Sequence, residues 1–123
     1  MEHQPWVGSK YAEGIYGKKV ALVGNSHWGD DDDYSEATID CIRHVTGELQ
    51  PAWRISFFDN IRNYFGESDS SSFWHKVMFF NYVPEVIGGG DERYASMTMK
   101  QAEAAKLRLL KLASEHRPDV IMA

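Results

Sequence analysis

Two short apolar runs, each closing on an asparagine, constrain this chain more than anything else in it. The first is Val20-Ala21-Leu22-Val23-Gly24-Asn25, followed by Ser26-His27-Trp28-Gly29. The second is Val77-Met78-Phe79-Phe80-Asn81, followed by Tyr82-Val83. Runs of this length and composition read as buried strands that break into polar loops at their C-terminal ends. In open α/β sheets ligands bind outside that edge, where the loops of adjacent parallel strands leave a crevice. Two polar strand ends in one small chain therefore point to a site.

The segments between them set the fold class. Residues 1–17 carry Gly8, Gly14 and Gly17 among aromatics and read as an irregular N-terminal arm. The first strand is expected over about 19–24. After the acidic run Asp30, Asp31, Asp32 and Asp33, Ser35 is suited to cap a helix. Ile39, Ile42 and Val45 follow at helical spacing, and Gly47 fits its stop. Pro51 suits the first position of a second helix. Trp53, Phe57, Phe58, Ile61, Tyr64 and Phe65 recur at helical spacing until Gly66, although a strand over 55–58 also fits. Residues 67–72 read as a polar, serine-rich loop, and the second strand as about 76–81. Pro84 and Gly88-Gly89-Gly90 make a long loop. Thr98 and Gln101 form a capping box for a helix to about His116, with Ala102, Ala105, Leu109, Leu112 and Ala113 on its apolar face. Pro118 ends it, and Val120-Ile121-Met122-Ala123 reads as a third strand.

Strands alternating with helices predict one α/β domain over residues 1–123, in three αβα layers around a small parallel sheet. An apolar strand at Ala123 leads us to expect a further strand beyond it, so that the fold is incomplete at its C-terminus as given. An uncovered edge there predicts a homo-oligomer.

Composition narrows the function classes. The net charge of -5 argues against a protein that holds nucleic acid by bulk electrostatics, yet allows a grip on one nucleotide. One cysteine, Cys41, excludes an internal disulfide, and its apolar neighbours suggest a buried helix position. No apolar run approaches the roughly 20 residues of a membrane helix. Met1-Glu2-His3-Gln4-Pro5 is unlike a secretory leader, so a cytoplasmic location is expected. The four aspartates lack calcium-loop spacing, and His27, His44, His75 and His116 lack metal-ligand spacing, so no metal or cofactor is expected. Lys100, Lys106, Arg108, Lys111 and Arg117 read as the solvated face of the last helix.

Read from the residues, the first junction offers the Asn25 amide, the Ser26 hydroxyl, the His27 imidazole and the Trp28 indole, with Gly24 and Gly29 allowing a tight turn and close ligand approach. Residues 19–29 (KVALVGNSHWG) resemble the first motif of the uracil-DNA glycosylase superfamily, closest to its uncharacterised branch with a Gly-Glu-Ser-His-aromatic-Gly motif. Residues 73–83 (FWHKVMFFNYV) resemble that superfamily's second strand, whose terminal Asn reads the flipped base. Residues 98–123 resemble the helix and strand that follow. The likeness runs in register over about 18–123, and the order and spacing of three motifs carry it.

The resemblance implies a base-binding or base-excising role with DNA or a nucleobase as partner. It makes Asn81 the base reader, with Trp28 the first stacking aromatic and Phe80 and Tyr82 behind it, beside Gly24. Asn25, Ser26 and His27 are the candidate catalytic group, His27 or Asn25 orienting a water. Such chemistry takes a base out of the stack and reads its edge, and an Asn amide offers both a donor and an acceptor for a pyrimidine. Two departures stand against activity. Ser26 falls where well-known members carry the catalytic Asp, and the His-led loop of the last motif would lie beyond Ala123. This chain alone is therefore expected to be inactive in excision. Two other readings differ in class. Val23-Gly24-Asn25-Ser26-His27 resembles the first block of the SGNH serine hydrolases, which would need an Asp-x-x-His block found nowhere in 1–123. A non-catalytic interaction module of the same fold is the third.

Overall fold

The computed structural model describes residues 2–25, 34–83 and 98–123. Eight elements follow in chain order: β1 (Trp6–Val7), β2 (Val20–Gly24), α1 (Ala37–Thr46), α2 (Ser56–Tyr64), α3 (Ser70–His75), β3 (Val77–Asn81), α4 (Met99–His116) and β4 (Val120–Met122). The chain is α/β, with helices on both faces of a sheet ordered β1-β3-β2-β4.

The sheet is mixed, which corrects the expectation of an all-parallel one. β2 pairs parallel with both β3 and β4, while β1 runs antiparallel to β3, Trp6 opposite Phe79. Residues 1–17 are thus only partly irregular. Trp6 donates its indole N–H to the Trp74 carbonyl at 2.8 Å, and Tyr11 donates its hydroxyl to the His116 carbonyl at 3.1 Å. These long-range anchors turn the arm into an edge strand and a lid over the end of α4.

Alternation along the strands sorts the core into two layers. Val20 and Leu22 of β2, with Val77 and Phe79 of β3, face α1–α3 and pack with Ile42, Val45, Phe58, Phe73 and Trp74. Ala21, Met78 and Phe80 face the other way, onto Leu112 and Leu109 of α4 and Tyr11 of the arm. The aromatic rings of Phe58, Trp74 and Phe79 meet edge to face at 5.3–5.9 Å, a preferred quadrupole geometry.

The helices depart from expectation in three places. Ser35 does not cap α1: Glu36 is the N-cap residue, without a side-chain capping bond, and the Ser35 hydroxyl donates to the Glu36 carboxylate at 2.8 Å instead. The second helix begins at Ser56 rather than Pro51. Trp53 stacks flat on the His44 ring, 3.9 Å between centroids, and its N–H bonds the His44 carbonyl at 2.9 Å. Those contacts hold the segment before Ser56 against the end of α1. The serine-rich stretch also contains the start of α3, where the Asp69 carboxylate caps the Ser72 N–H at 3.2 Å and Phe73 and Trp74 enter the core. The Thr98–Gln101 capping box is present, and Gly47 ends α1 in the left-handed region at φ 87°. Among the described residues no helix is long and apolar enough to cross a membrane.

Among the described residues β4 is the outermost strand beside β2, entered through Asp119, whose carboxylate accepts the Lys19 N–H at 2.9 Å. Val120 and Ile121 are exposed there.

Candidate functional site

The connections of β2 and β3 run to opposite faces of the sheet. From β2 the chain proceeds through α1, α2 and α3 on one face to reach β3. From β3 it proceeds through α4 on the other face and past β2 to reach β4. The C-terminal ends of β2 and β3 are therefore a topological switch point, the position at which open α/β sheets bind ligands. Parallel register pairs Gly24 with Asn81 across it. The ladder continues beyond the strands: the Tyr82 N–H bonds the Gly24 carbonyl at 2.8 Å, and the Val83 N–H bonds the Asn25 carbonyl at 2.9 Å. Asn25 and Asn81 thus share one edge, as the two motifs require.

Asn81 is 7% exposed and follows Val77 and Phe79 on the α1–α3 face. Its backbone carbonyl accepts from Arg108 Nη1 at 2.8 Å, while its side-chain amide makes no hydrogen bond among the described residues. Gly24 leaves the room that the amide uses. A Cβ on Gly24 would stand 2.4 Å from Asn81 Oδ1 and 3.1 Å from Phe79 Cζ. The amide atoms are not among the fully buried side-chain atoms left without a partner, and residues 26–33 and 84–97, which follow the two strands, lie outside the described ones.

Arg108 supports this edge from the other side of the sheet. It was expected on the solvated face of α4, whereas it is 6% exposed. Its guanidinium spans the Asn81 carbonyl and the His3 carbonyl, the latter at 2.5 Å, and lies 5.3 Å from the Phe80 ring centre. Burial lowers its pKa, and Glu2, 3.7 Å away, opposes that shift. The remaining basic residues of that group, Lys100, Lys106, Lys111 and Arg117, are exposed as expected.

The structure separates some of the expected site residues. Phe80, proposed to back the base, faces α4 and is 2% exposed, on the opposite side of the sheet from the Asn81 amide. The aromatic beside that amide is Phe79. Tyr82 is half-buried just past β3. Ser26, His27 and Trp28, the acidic run and Gly88-Gly89-Gly90 lie outside the described residues.

Sequence reasoning missed a cavity of about 360 Å³ on the α1–α3 face. Phe79 forms a wall common to it and to the Gly24–Asn81 contact, Leu22 and Val23 form its floor, Phe57, Asn60, Ile61, Tyr64 and Phe65 line its α2 side, and Met122 and Ala123 close it from β4. Its lining is apolar except for Asn60, and Asn81 lies beyond it. The exposed aromatics Phe57 and Tyr64 on an otherwise amphipathic α2 were the available signal.

No group of three or more His, Cys, Asp and Glu side chains among the described residues is arranged to hold a metal ion. No family model, no curated protein and no solved structure matches this chain.

Proposed function

We propose that this chain is a uracil-DNA-glycosylase-like domain that takes a single nucleobase at the crevice between β2 and β3, with Asn81 reading the base edge. One observation carries the reading. Asn81 is 7% exposed, its amide makes no hydrogen bond to a described residue, and it stands at the C-terminal end of β3 opposite Gly24 of β2. A pyrimidine carbonyl and its neighbouring imide N–H match the donor and acceptor of that amide. Glycosidic bond cleavage would fall to Asn25, Ser26 and His27.

Titration calorimetry with uracil tests it. Asn81→Ala should weaken binding by roughly 5- to 150-fold, the loss of two hydrogen bonds at about 0.5–1.5 kcal/mol each. Its melting temperature should change little, because the amide holds no group among the described residues. Equal binding by the variant, or a large drop in melting temperature, would make Asn81 a structural residue.

A further inference from the structure

At the opposite end of β3 from Asn81, three side chains from distant parts of the chain form a relay. Ser9 Oγ lies 3.1 Å from His75 Nδ1. His75 Nε2 is hydrogen-bonded to Glu48 Oε1. We propose that Ser9, His75 and Glu48 form a second site that cleaves small carboxylic esters, with Ser9 as nucleophile, His75 as base and Glu48 as the positioning residue.

The geometry fixes the protons. Nδ1 faces two donors of Ser9, the hydroxyl and the backbone N–H at 3.4 Å, so it serves as acceptor. Nε2 then carries the hydrogen and donates it to the Glu48 carboxylate. A hydroxyl pointing at an imidazole whose far nitrogen is held by a carboxylate is the arrangement that activates a serine. The ring is turned relative to the familiar case, Nδ1 rather than Nε2 meeting the hydroxyl, and either nitrogen can accept the proton.

The three groups are held before any substrate arrives. The Gly8 N–H bonds the Val77 carbonyl at 2.9 Å and the Lys10 N–H bonds the His75 carbonyl at 2.8 Å, so Ser9 is bracketed on both sides. Only glycine fits at position 8, where a Cβ would come within 2.2 Å of the His75 carbonyl oxygen. The Trp6 ring packs 5.2 Å from the imidazole, and Gly47 turns the chain so that Glu48 reaches it. Backbone bonds alone already fasten the arm to His75, so the relay is surplus to that task. Ser9 itself is exposed, which leaves its hydroxyl open to a substrate.

In the first half-reaction the Ser9 oxygen bonds to the ester carbonyl carbon and its proton passes to His75 Nδ1. The imidazolium is held by Glu48. Collapse breaks the bond from carbon to the alkoxy oxygen, which leaves with the proton from Nδ1 as the alcohol. Water then attacks the acyl-serine, gives its proton to Nδ1, and the acid departs as that proton returns to Ser9.

The test uses the whole chain with a fluorophosphonate probe and p-nitrophenyl acetate. The adduct should map to Ser9. His75→Gln should slow labelling about 10²-fold, the usual contribution of a general base. Glu48→Gln, on an exposed side chain and so compatible with folding, should lower kcat for the ester at unchanged KM. Where His75→Gln fails to fold, Glu48→Gln alone decides. No adduct, an adduct at Ser26 instead, a labelling rate unaffected by His75→Gln, or ester turnover unaffected by Glu48→Gln would each overturn the proposal.

Discussion

Gly24→Ala tests the close approach of Gly24 to the Asn81 amide and the Phe79 ring. Gly24 is outside the positive-φ residues, so the backbone there accepts alanine, and what decides the cost is space. The new methyl would stand 2.4 Å from Asn81 Oδ1, 3.1 Å from Phe79 Cζ and 3.5 Å from Phe79 Cε2. Phe79 cannot retreat, being 2% exposed and held by Phe57, Phe58 and Trp74 at ring distances of 5.3–6.3 Å. The Asn81 amide must therefore rotate away and the sheet must give slightly. Overpacking of this kind costs about 1–3 kcal/mol. Removing a glycine from the unfolded chain returns about 0.4–1 kcal/mol. The net loss is between about 0 and 2.6 kcal/mol, centred on about 1.3, read from urea denaturation. A double-mutant cycle isolates the contact. In an Asn81→Ala background Oδ1 is gone, so Gly24→Ala should cost about 1 kcal/mol less than in the parent. Uracil binding should also weaken in Gly24→Ala alone, although the amide is chemically intact, because it has been displaced. Costs that add within about 0.5 kcal/mol would refute the contact. Unchanged uracil binding would separate the amide's position from any reading role.

Arg108→Lys should destabilise by about 2–4 kcal/mol in urea denaturation, since an ammonium cannot span the Asn81 and His3 carbonyls as the guanidinium fork does; a loss under 0.5 kcal/mol would deny Arg108 its bracing role. Burial pushes the Cys41 thiol up to about 11, from an ordinary value of 9.0. The folded state then holds a proton that the unfolded chain releases first, so this contribution to stability falls as pH rises from about 9 to about 11. The stability gap between the parent and Cys41→Ala should shrink over that window, and a gap independent of pH would contradict the shift.

What the sequence made legible was local. β2 and β3 were expected at about 19–24 and 76–81, within a residue of their observed bounds, because apolar runs and the polar residues ending them are adjacent in the chain. The capping box was legible for the same reason. What it hid was decided at long range. Arg108 sits among lysines on a helix and looks solvated, yet its partners are carbonyls of Asn81 and His3, brought to it only by the folded sheet and arm. β1 is two residues long, too short to carry a period, and exists because β3 offers it an edge. The Ser9–His75–Glu48 relay joins three segments whose residues are unremarkable where they stand.

The placement of Phe80 shows a case where the chain held the answer and resemblance overrode it. Side chains alternate along a strand, so Phe80 and Asn81, as neighbours within β3, must face opposite sides of the sheet. If Asn81 turns its amide toward the crevice, Phe80 cannot back the same base. The residue two positions before Asn81 can, and that residue is Phe79, whose ring also walls the cavity. Met78 and Phe80 instead pack the sheet onto α4, and the Phe80 ring lies under Arg108, which in turn holds the Asn81 carbonyl. One strand therefore divides its labour by parity: Val77, Phe79 and Asn81 face the α1–α3 side, where Phe79 walls the cavity, while Met78 and Phe80 face α4. If this edge takes a base as proposed, Phe79→Leu should weaken uracil binding in titration calorimetry more than Phe80→Leu does, and the reverse order would refute the argument.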